Sequence, residues 1–149
     1  LLEEGNYEHD MRTGWWRTYD ANGRMATLGR WENNEPVGHW KEFTDGDLRA
    51  EGTMTISGRS GYWKLYFANG ALQADGYYVD NERNDWWQEF DSEGAPVFKG
   101  HFYSNQRDGF GYNYENGELE SEGMYSFGAQ IGTWKFYDEY GELLRVTTF

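Results

Sequence analysis

The sequence contains no cysteine, which excludes a disulfide framework, a thiolate zinc site and a thiol nucleophile. It also lacks any run of about 18 apolar residues, so no helical membrane span is predicted. No basic segment followed by an apolar one opens the chain. Because residue 1 is Leu rather than Met, we expect the natural N-terminus to lie upstream, and the compartment stays open, with a slight preference for the cytoplasm.

Positive charge and proline are scarce as well. The 13 Lys and Arg residues face 26 Asp and Glu residues, for a net charge of −13. This balance argues against nucleic acid and anionic membrane as partners, since both attract positive charge, and it favours another protein, a basic one in particular. With only two Pro, twenty Gly and 19% aromatic residues, the composition favours antiparallel strands and tight turns over helices.

One unit of 23 or 24 residues recurs along the chain. Its first copy opens with Gly14-Trp15-Trp16-Arg17-Thr18-Tyr19, and the equivalent positions begin at 14, 38, 61, 85, 109 and 132. Each copy then has a turn glycine. In the first five copies a second glycine follows six residues later, at 29, 52, 76, 100 and 123, and in the last copy Thr147 takes its place. The repeat predicts a single domain over 1–149, with residues 1–13 as a partial unit.

Each unit is predicted to be a strand, a short turn and a second strand. Asn22-Gly23, Asp45-Gly46, Asn69-Gly70 and Asn116-Gly117 are dipeptides that tolerate positive φ at both central positions of a hairpin turn. The one-residue difference between units falls in this turn, whereas the connection to the next unit has a constant length. The predicted fold is all-β, an elongated antiparallel meander of about six tandem β-hairpins, or about twelve strands across roughly 55 Å.

This pattern of Gly-x-Trp-x-x-Tyr, then Asn-Gly-x-Leu, then Gly-x-Tyr resembles the MORN repeat in its bacterial variant form, from Gly5 to Phe149. The resemblance implies a β-hairpin scaffold used for protein contacts, and some bacterial members are labelled antitoxins. Three positions depart from the pattern, because Asp85 replaces the opening Gly, Gly111 replaces the Trp and Pro96 replaces the Leu. Units four and five are therefore expected to be the least regular.

Alternation of side chains along the strands predicts two different faces. On one face, a tryptophan of each first strand is expected to pack over the second glycine of a neighbouring strand; these are Trp16, Trp40, Trp63, Trp87 and Trp134. On the other face, aromatic side chains flank a cation along several first strands. We interpret this column as the partner-binding surface, with Trp15, Arg17, Tyr19, Lys41, Tyr62, Lys64, Tyr66, Trp86, Tyr112 and Lys135 as its candidate residues.

The cations Arg17, Lys41, Lys64 and Lys135 are expected to form one row across the sheet, a local reversal of the overall negative charge that could select an acidic segment. A basic partner would instead dock on the opposite edge, near Glu118, Glu120 and Glu122. The alternative interpretation of the column is that the Lys and Arg stems pack over the rings of their own strand while their charges remain in water.

No catalytic or cofactor motif accompanies the repeat. The three His residues stand at unrelated repeat positions, and no P-loop, HExxH or GxSxG pattern occurs. Two oxygen-rich segments lack EF-hand spacing; they are Asp80, Asn81, Asn84 and Asp85, and Glu32, Asn33, Asn34 and Glu35. The sequence therefore predicts a non-enzymatic protein-binding scaffold without metal or cofactor. An antitoxin or immunity role is one version of this prediction. The alternative is a carbohydrate or cell-wall-binding repeat protein that uses an exposed aromatic ladder.

The face assignment makes a prediction about stability. Trp63→Ala should destabilise the fold by ~3–5 kcal/mol, because it would empty a buried ring site. Phe110→Ala should cost less, because unit five already lacks that tryptophan. Urea unfolding checks this, and equal midpoints for the two variants would contradict the assignment of faces.

Overall fold

The computed structural model describes residues 2–149 as one antiparallel sheet in which every strand pairs with the next along the chain. The strands are β1 (Glu3–Glu8), β2 (Met11–Tyr19), β3 (Met25–Glu32), β4 (Glu35–Thr44), β5 (Asp47–Thr55), β6 (Gly58–Tyr66), β7 (Leu72–Val79), β8 (Glu82–Phe90), β9 (Pro96–Tyr103), β10 (Gln106–Glu115), β11 (Glu118–Ser126), β12 (Ala129–Tyr137) and β13 (Leu143–Thr148). The predicted all-β hairpin meander is confirmed. There are thirteen strands rather than twelve, because the partial first unit contributes β1. Among the described residues, no helix is long and apolar enough to cross a membrane.

The turn inside each unit takes one of two forms, which account for the two repeat lengths. In the shorter units, Asp45-Gly46 and Asn116-Gly117 have positive φ at both positions, as predicted for a two-residue hairpin turn. The same prediction is wrong for Asn22-Gly23 and Asn69-Gly70, where only the glycine has positive φ. Those units have one more residue in the turn than the shorter units.

The longer turn has its own hydrogen bonds. In the third unit the Phe67 N–H donates to the Ala71 carbonyl at 2.9 Å, and the Gly70 N–H donates to the Phe67 carbonyl at 3.0 Å. The Asn69 side chain accepts a further bond from the Ala71 N–H at 3.0 Å. Asn69 therefore stabilises this turn through its side chain and does not need a left-handed backbone.

A second class of turn joins each unit to the next. Asn33-Asn34, Asp80-Asn81 and Ser104-Asn105 are two-residue turns with positive φ at both positions. The Asn34 side chain accepts a bond from the Arg12 N–H at 2.6 Å, and the Asn34 N–H donates to the Arg12 carbonyl at 3.2 Å. Asn81 and Asn105 bond to Arg59 and Arg83 in the same way. These asparagines therefore tie each turn to the unit before it, which is a structural role.

The core lies on one side of the sheet, the tryptophan face, where Trp16, Trp40, Trp63, Trp87 and Trp134 are all at most 7% exposed. The predicted packing of ring over glycine is confirmed, since a Cβ built on Gly52 would lie 2.4 Å from the Trp63 ring. The Trp63 indole N–H donates to the Thr53 carbonyl at 2.9 Å, beside the bulge that follows Gly52. A side chain at Gly52 would thus displace both the ring and its hydrogen bond.

The first residue of each unit lies in the left-handed region of φ. Gly38 and Gly61 have φ of 68° and 69°, and Asp85, which replaces glycine here, has φ of 62°. Aspartate tolerates this backbone conformation better than most residues. The substitution at position 85 therefore preserves the local geometry of the repeat.

Arginine side chains cover the tryptophan face. The guanidinium carbon of Arg59, two residues before the opening Gly61, lies 4.7 Å from the centre of the Trp63 ring. Arg59 also forms an ion pair with Glu42. Arg12, Arg83 and Arg107 occupy the equivalent position in their units and stack on Trp16, Trp87 and Phe98. This cover explains how a single-layer sheet buries Trp63 completely.

The fourth and fifth units exchange a large and a small residue across one strand pair. Gly111 stands where other units have tryptophan, and Phe98 stands where Ala50 and Ala74 occur in earlier units. Gly111 pairs with Gly100, and the fully buried Phe98 ring occupies the space above both. A Cβ on Gly100 would lie 2.6 Å from that ring, and one on Gly111 would lie 2.9 Å from it. The exchange therefore keeps the core continuous.

The exchange predicts that two substitutions that each destabilise the sheet restore its stability when combined. Phe98→Ala should destabilise the sheet by ~3–5 kcal/mol, because it empties a fully buried site. Gly111→Trp alone should also destabilise it, because the indole and the Phe98 ring would compete for one space. The double variant recreates the regular unit and should recover most of the stability in urea unfolding. A double variant less stable than both single variants would refute the exchange.

Candidate functional site

The side of the sheet opposite the tryptophans, the column face, carries every candidate residue selected from the sequence. Each first strand contributes its second, fourth and sixth residues, and the second strands contribute residues on either side of the second glycine. Direct cross-strand pairs show the division: Trp16 is paired with Gly29 on the tryptophan face, and Arg17 is paired with Leu28 on the column face. Cations and rings of successive units therefore lie side by side.

The middle row of the column face crosses the whole sheet and alternates in charge. From β1 to β13 the directly paired residues are Glu4, Arg17, Leu28, Lys41, Glu51, Lys64, Asp75, Gln88, Lys99, Tyr112, Glu122, Lys135 and Val146. Arg17, Lys41, Lys64 and Lys135 share this row, as predicted. Four carboxylates and one further lysine share it with them.

The expected local reversal of charge is wrong, because carboxylates of the second strands stand between the cations. Arg17 lies 3.0 Å from Glu4 and Lys135 lies 3.2 Å from Glu122, while Lys41 lies 3.5 Å from Glu51. The row is therefore close to neutral.

The proposed separation of two docking surfaces is corrected by the same register. Glu122 is paired directly with Tyr112 and with Lys135, so it belongs to the column face itself. Strand alternation places Glu120 on this face too. A basic and an acidic partner segment would therefore compete for one surface.

Tyrosine hydroxyls bind the carboxylates of the middle row. Tyr19 donates to Glu4 at 2.6 Å, Tyr66 to Glu51 at 2.7 Å and Tyr137 to Glu122 at 2.8 Å. Tyr62 donates to Asp75. Each of these carboxylates thus accepts a hydrogen bond from a phenol and also faces a cation or an amide. These contacts fix the rings and the charges in one arrangement.

These contacts shift the pKa values of the groups involved. Burial, together with the bond to Glu51, raises the pKa of Tyr66 to about 12. Burial and the bond to Asp75 raise the pKa of Tyr62 to about 12 in the same way. The phenol of Tyr66, more than the neighbouring lysine, lowers the pKa of the Glu51 carboxyl. At neutral pH the tyrosines are therefore protonated donors and Glu51 is a charged acceptor.

Beside the middle row lies a second row of residues, of which Trp86 is half-buried and the others are exposed. Tyr62 pairs with Tyr77, Trp86 with His101 and Phe110 with Met124, directly across the strands. The Tyr62 and Tyr77 rings lie 5.4 Å apart and the Trp86 and His101 rings 5.2 Å apart, both edge to face. Tyr77, His101 and Met124 were not predicted, although each follows directly after a second glycine of the repeat.

The column face is composed of rings, charged side chains and hydroxyls. Within residues 2–149, no group of three or more His, Asp or Glu side chains is arranged to hold a metal ion. In the same residues every buried side-chain nitrogen or oxygen has a hydrogen-bond partner. The surface therefore offers rings, alternating charges and hydroxyls to a ligand.

No known family model and no curated protein matches this chain. Among solved structures, it is similar to the crystal structure of TarM, with 13% identity and a TM-score of 0.41, over 70% of this chain and 21% of that one. It is also similar to a mutant of S. aureus TarM in complex with fondaparinux, alpha-GlcNAc-glycerol and UDP, with 12% identity and a TM-score of 0.40, over 80% of this chain and 21% of that one. The chain spans about a fifth of the length of these proteins, and a likeness of this degree carries no functional argument.

The phenol–carboxylate bonds predict how stability depends on pH. The pKa of Tyr66 is about 12 in the folded chain and about 10 when unfolded, so the folded state holds this proton more tightly. The associated stability is present below about pH 10 and is lost as the pH rises towards 12.

Absorbance of tyrosinate at alkaline pH checks this. Tyr66→Phe should remove a component that titrates near pH 12. Tyr140→Phe, which removes a phenol that is 81% exposed, should leave that component unchanged. Loss of the same component in both variants would contradict the assignment.

Proposed function

We propose that this chain is a non-enzymatic MORN-type scaffold that binds another protein through its column face. The sequence motif supports the family, and the repeated hairpins supply a continuous surface rather than an enclosed site. An antitoxin or immunity protein, which acts by binding a partner, would be one form of this function.

The observation that carries the proposal is the contrast between the two faces. On the tryptophan face Trp63, Trp87 and Trp134 are fully buried, and stacked arginines cover much of that core. On the column face Trp15 is 54% exposed, and Tyr62 is 43% exposed. Exposed rings beside fixed polar groups are typical of the anchoring positions of protein interfaces.

In the part of the chain that the structure describes, the middle row of the column face has no region of one charge that would attract a partner. A partner would be recognised there by its contacts with individual charges and rings. Each lysine or arginine of the middle row neighbours a carboxylate or a ring, so a partner must match an alternating pattern. The net charge of −13 acts over a longer range and favours the approach of a basic partner. The column face would then provide specificity and the overall charge would raise the association rate.

A glycan is the second candidate ligand, because the exposed Trp15 and Tyr62 rings could stack on sugar rings. Glycan binding and protein binding make different demands on the surface. A glycan needs the rings and nearby hydroxyls or carboxylates, while a protein partner also responds to the charges of Lys41 and Lys64. Variants of these lysines therefore help to separate the two.

The experiment uses the whole chain as bait for proteins from its native source, followed by mass spectrometry and affinity measurements with the purified partner. Tyr62→Ala combined with Trp86→Ala should weaken the complex at least about tenfold, or ~1.4 kcal/mol. Lys41→Glu combined with Lys64→Glu should weaken it as well.

The matched control is Phe127→Ala combined with Tyr140→Ala, because these rings lie in turns and are 68% and 81% exposed. The control should bind as tightly as the unmodified chain. The proposal fails if no partner is captured, or if both column-face variants, still folded by circular dichroism, keep full affinity.

A further inference from the structure

Large side chains that are exposed or half-buried beside the middle row are concentrated in three consecutive units. The stripe consists of Tyr62, Tyr77, Trp86, His101, Phe110 and Met124, one directly paired couple in each of units three, four and five. In the other three units the equivalent couples are Trp15 with Arg30, His39 with Thr53 and Thr133 with Thr148. The stripe is therefore a local feature of the sheet, distinct from the repeat pattern as a whole.

The spacing of the couples sets the period of any ligand that contacts all three. Successive couples are two strands apart, which is about 9.6 Å in an antiparallel sheet. A polyproline II helix repeats every three residues, or about 9.3 Å. In an extended strand, the side chains on one face repeat at about 6.7 Å. A strand with a side chain at one couple would therefore not place its next side chain at the following couple.

We propose that the stripe binds a proline-rich, basic segment of the partner in polyproline II conformation, running across the strands; this inference rests on the proposed protein-binding function. Three couples span about 19 Å, which corresponds to about six residues of such a helix. Aromatic side chains on the receptor side are the usual means of recognising this conformation, because proline rings pack between them.

Hydrogen-bonding groups on the stripe fit such a ligand. A polyproline II helix has no internal hydrogen bonds, so its carbonyls are available to donors on the receptor. The buried Trp87 donates its indole N–H to the Tyr77 carbonyl at 3.0 Å. Its neighbour Trp86 has no protein acceptor within residues 2–149, and since no buried polar atom there lacks a partner, its N–H is open to solvent and to a ligand carbonyl.

The charge along the border of the stripe that faces away from the middle row is negative. Strand alternation places Glu82 and Asp108 on the column face, and the Asp85 side chain is 70% exposed and lies 3.7 Å from His101. The two arginines of these strands, Arg83 and Arg107, point to the tryptophan face, where both pair with Glu89. The border therefore favours Arg or Lys between the prolines.

The test uses isothermal titration calorimetry of the whole chain with three synthetic nine-residue peptides. Each consists of three identical triplets, Pro-Pro-Arg, Gly-Gly-Arg or Pro-Pro-Glu. The first peptide should bind. The second, which keeps the charge without the polyproline II preference, and the third, which reverses the charge, should bind at least about tenfold more weakly.

Variants assign the binding to the stripe. Tyr62→Ala combined with Trp86→Ala should weaken the first peptide at least about tenfold, and Glu82→Gln combined with Asp108→Asn should weaken it less and reduce its salt dependence. Tyr140→Ala is the control, because Tyr140 is a ring in the turn before β13, outside the stripe, and is 81% exposed. It should bind the peptide unchanged, and circular dichroism verifies that all variants are folded.

Several results would overturn the inference. They are the absence of binding by the Pro-Pro-Arg peptide at millimolar concentration, equal binding of the Gly-Gly-Arg peptide, and equal losses in the stripe and Tyr140 variants. Binding of chitin or cell-wall oligosaccharides that is lost in the stripe variant, without binding of the peptide, would assign the stripe to glycans. If the native partner needs the column face while the peptide does not bind, the scaffold function stands and the polyproline inference fails.

Discussion

Except in the fifth unit, each hairpin of this sheet is joined to the one before it by a tryptophan ring that lies on the backbone of a glycine in the adjacent strand. The ring needs the missing Cβ, because an added Cβ at Gly52 or Gly76 would lie within 2.4 Å of ring atoms of Trp63 or Trp87. The indole N–H then bonds to the carbonyl of the residue after that glycine. One contact thus combines close packing, a satisfied polar group and a bulge, and its repetition produces a regular sheet.

The same contact divides the two faces by function. Rings on glycines are flat against the sheet, and arginines such as Arg59 can cover them while their charges pair with Glu42. A single-layer sheet therefore has a core without a second layer of strands or helices. The column face does not form the core, so its exposed rings and alternating charges are available for recognition.

The irregular units show how the core tolerates change. Gly111 removes an indole, and Phe98 on the paired strand supplies a ring in its place. Asp85 keeps the left-handed backbone that glycine has in other units. The three consecutive units with exposed couples include both departures, so local variation in the core coexists with a distinctive surface on the opposite side.

Prediction from the sequence succeeded where the physical constraint is local or strictly repeated. The spacing of the glycines and aromatics predicted the strands, the hairpins, the two faces and the packing of tryptophan on glycine. The turn at Asn69-Gly70 was mispredicted, because the dipeptide is compatible with two turn lengths and hydrogen bonds around Phe67 select between them. The turn asparagines and the arginines that stack on the tryptophan face also recur in the sequence. Their roles were not predicted, because the asparagines bond to the backbone two strands away and the arginines contact rings from above the sheet.

Composition and periodicity by themselves thus determined the all-β meander and the division into a core face and a column face, because alternation along a strand and a fixed repeat leave few other arrangements. Only the tertiary structure decided what stands beside each side chain. Strand register placed Glu51 between Lys41 and Lys64 and so made the expected cation row neutral. Register also brought Tyr62 beside Tyr77 and Trp86 beside His101, since cross-strand neighbours are set by hydrogen-bonded pairing and bulges that no single unit specifies.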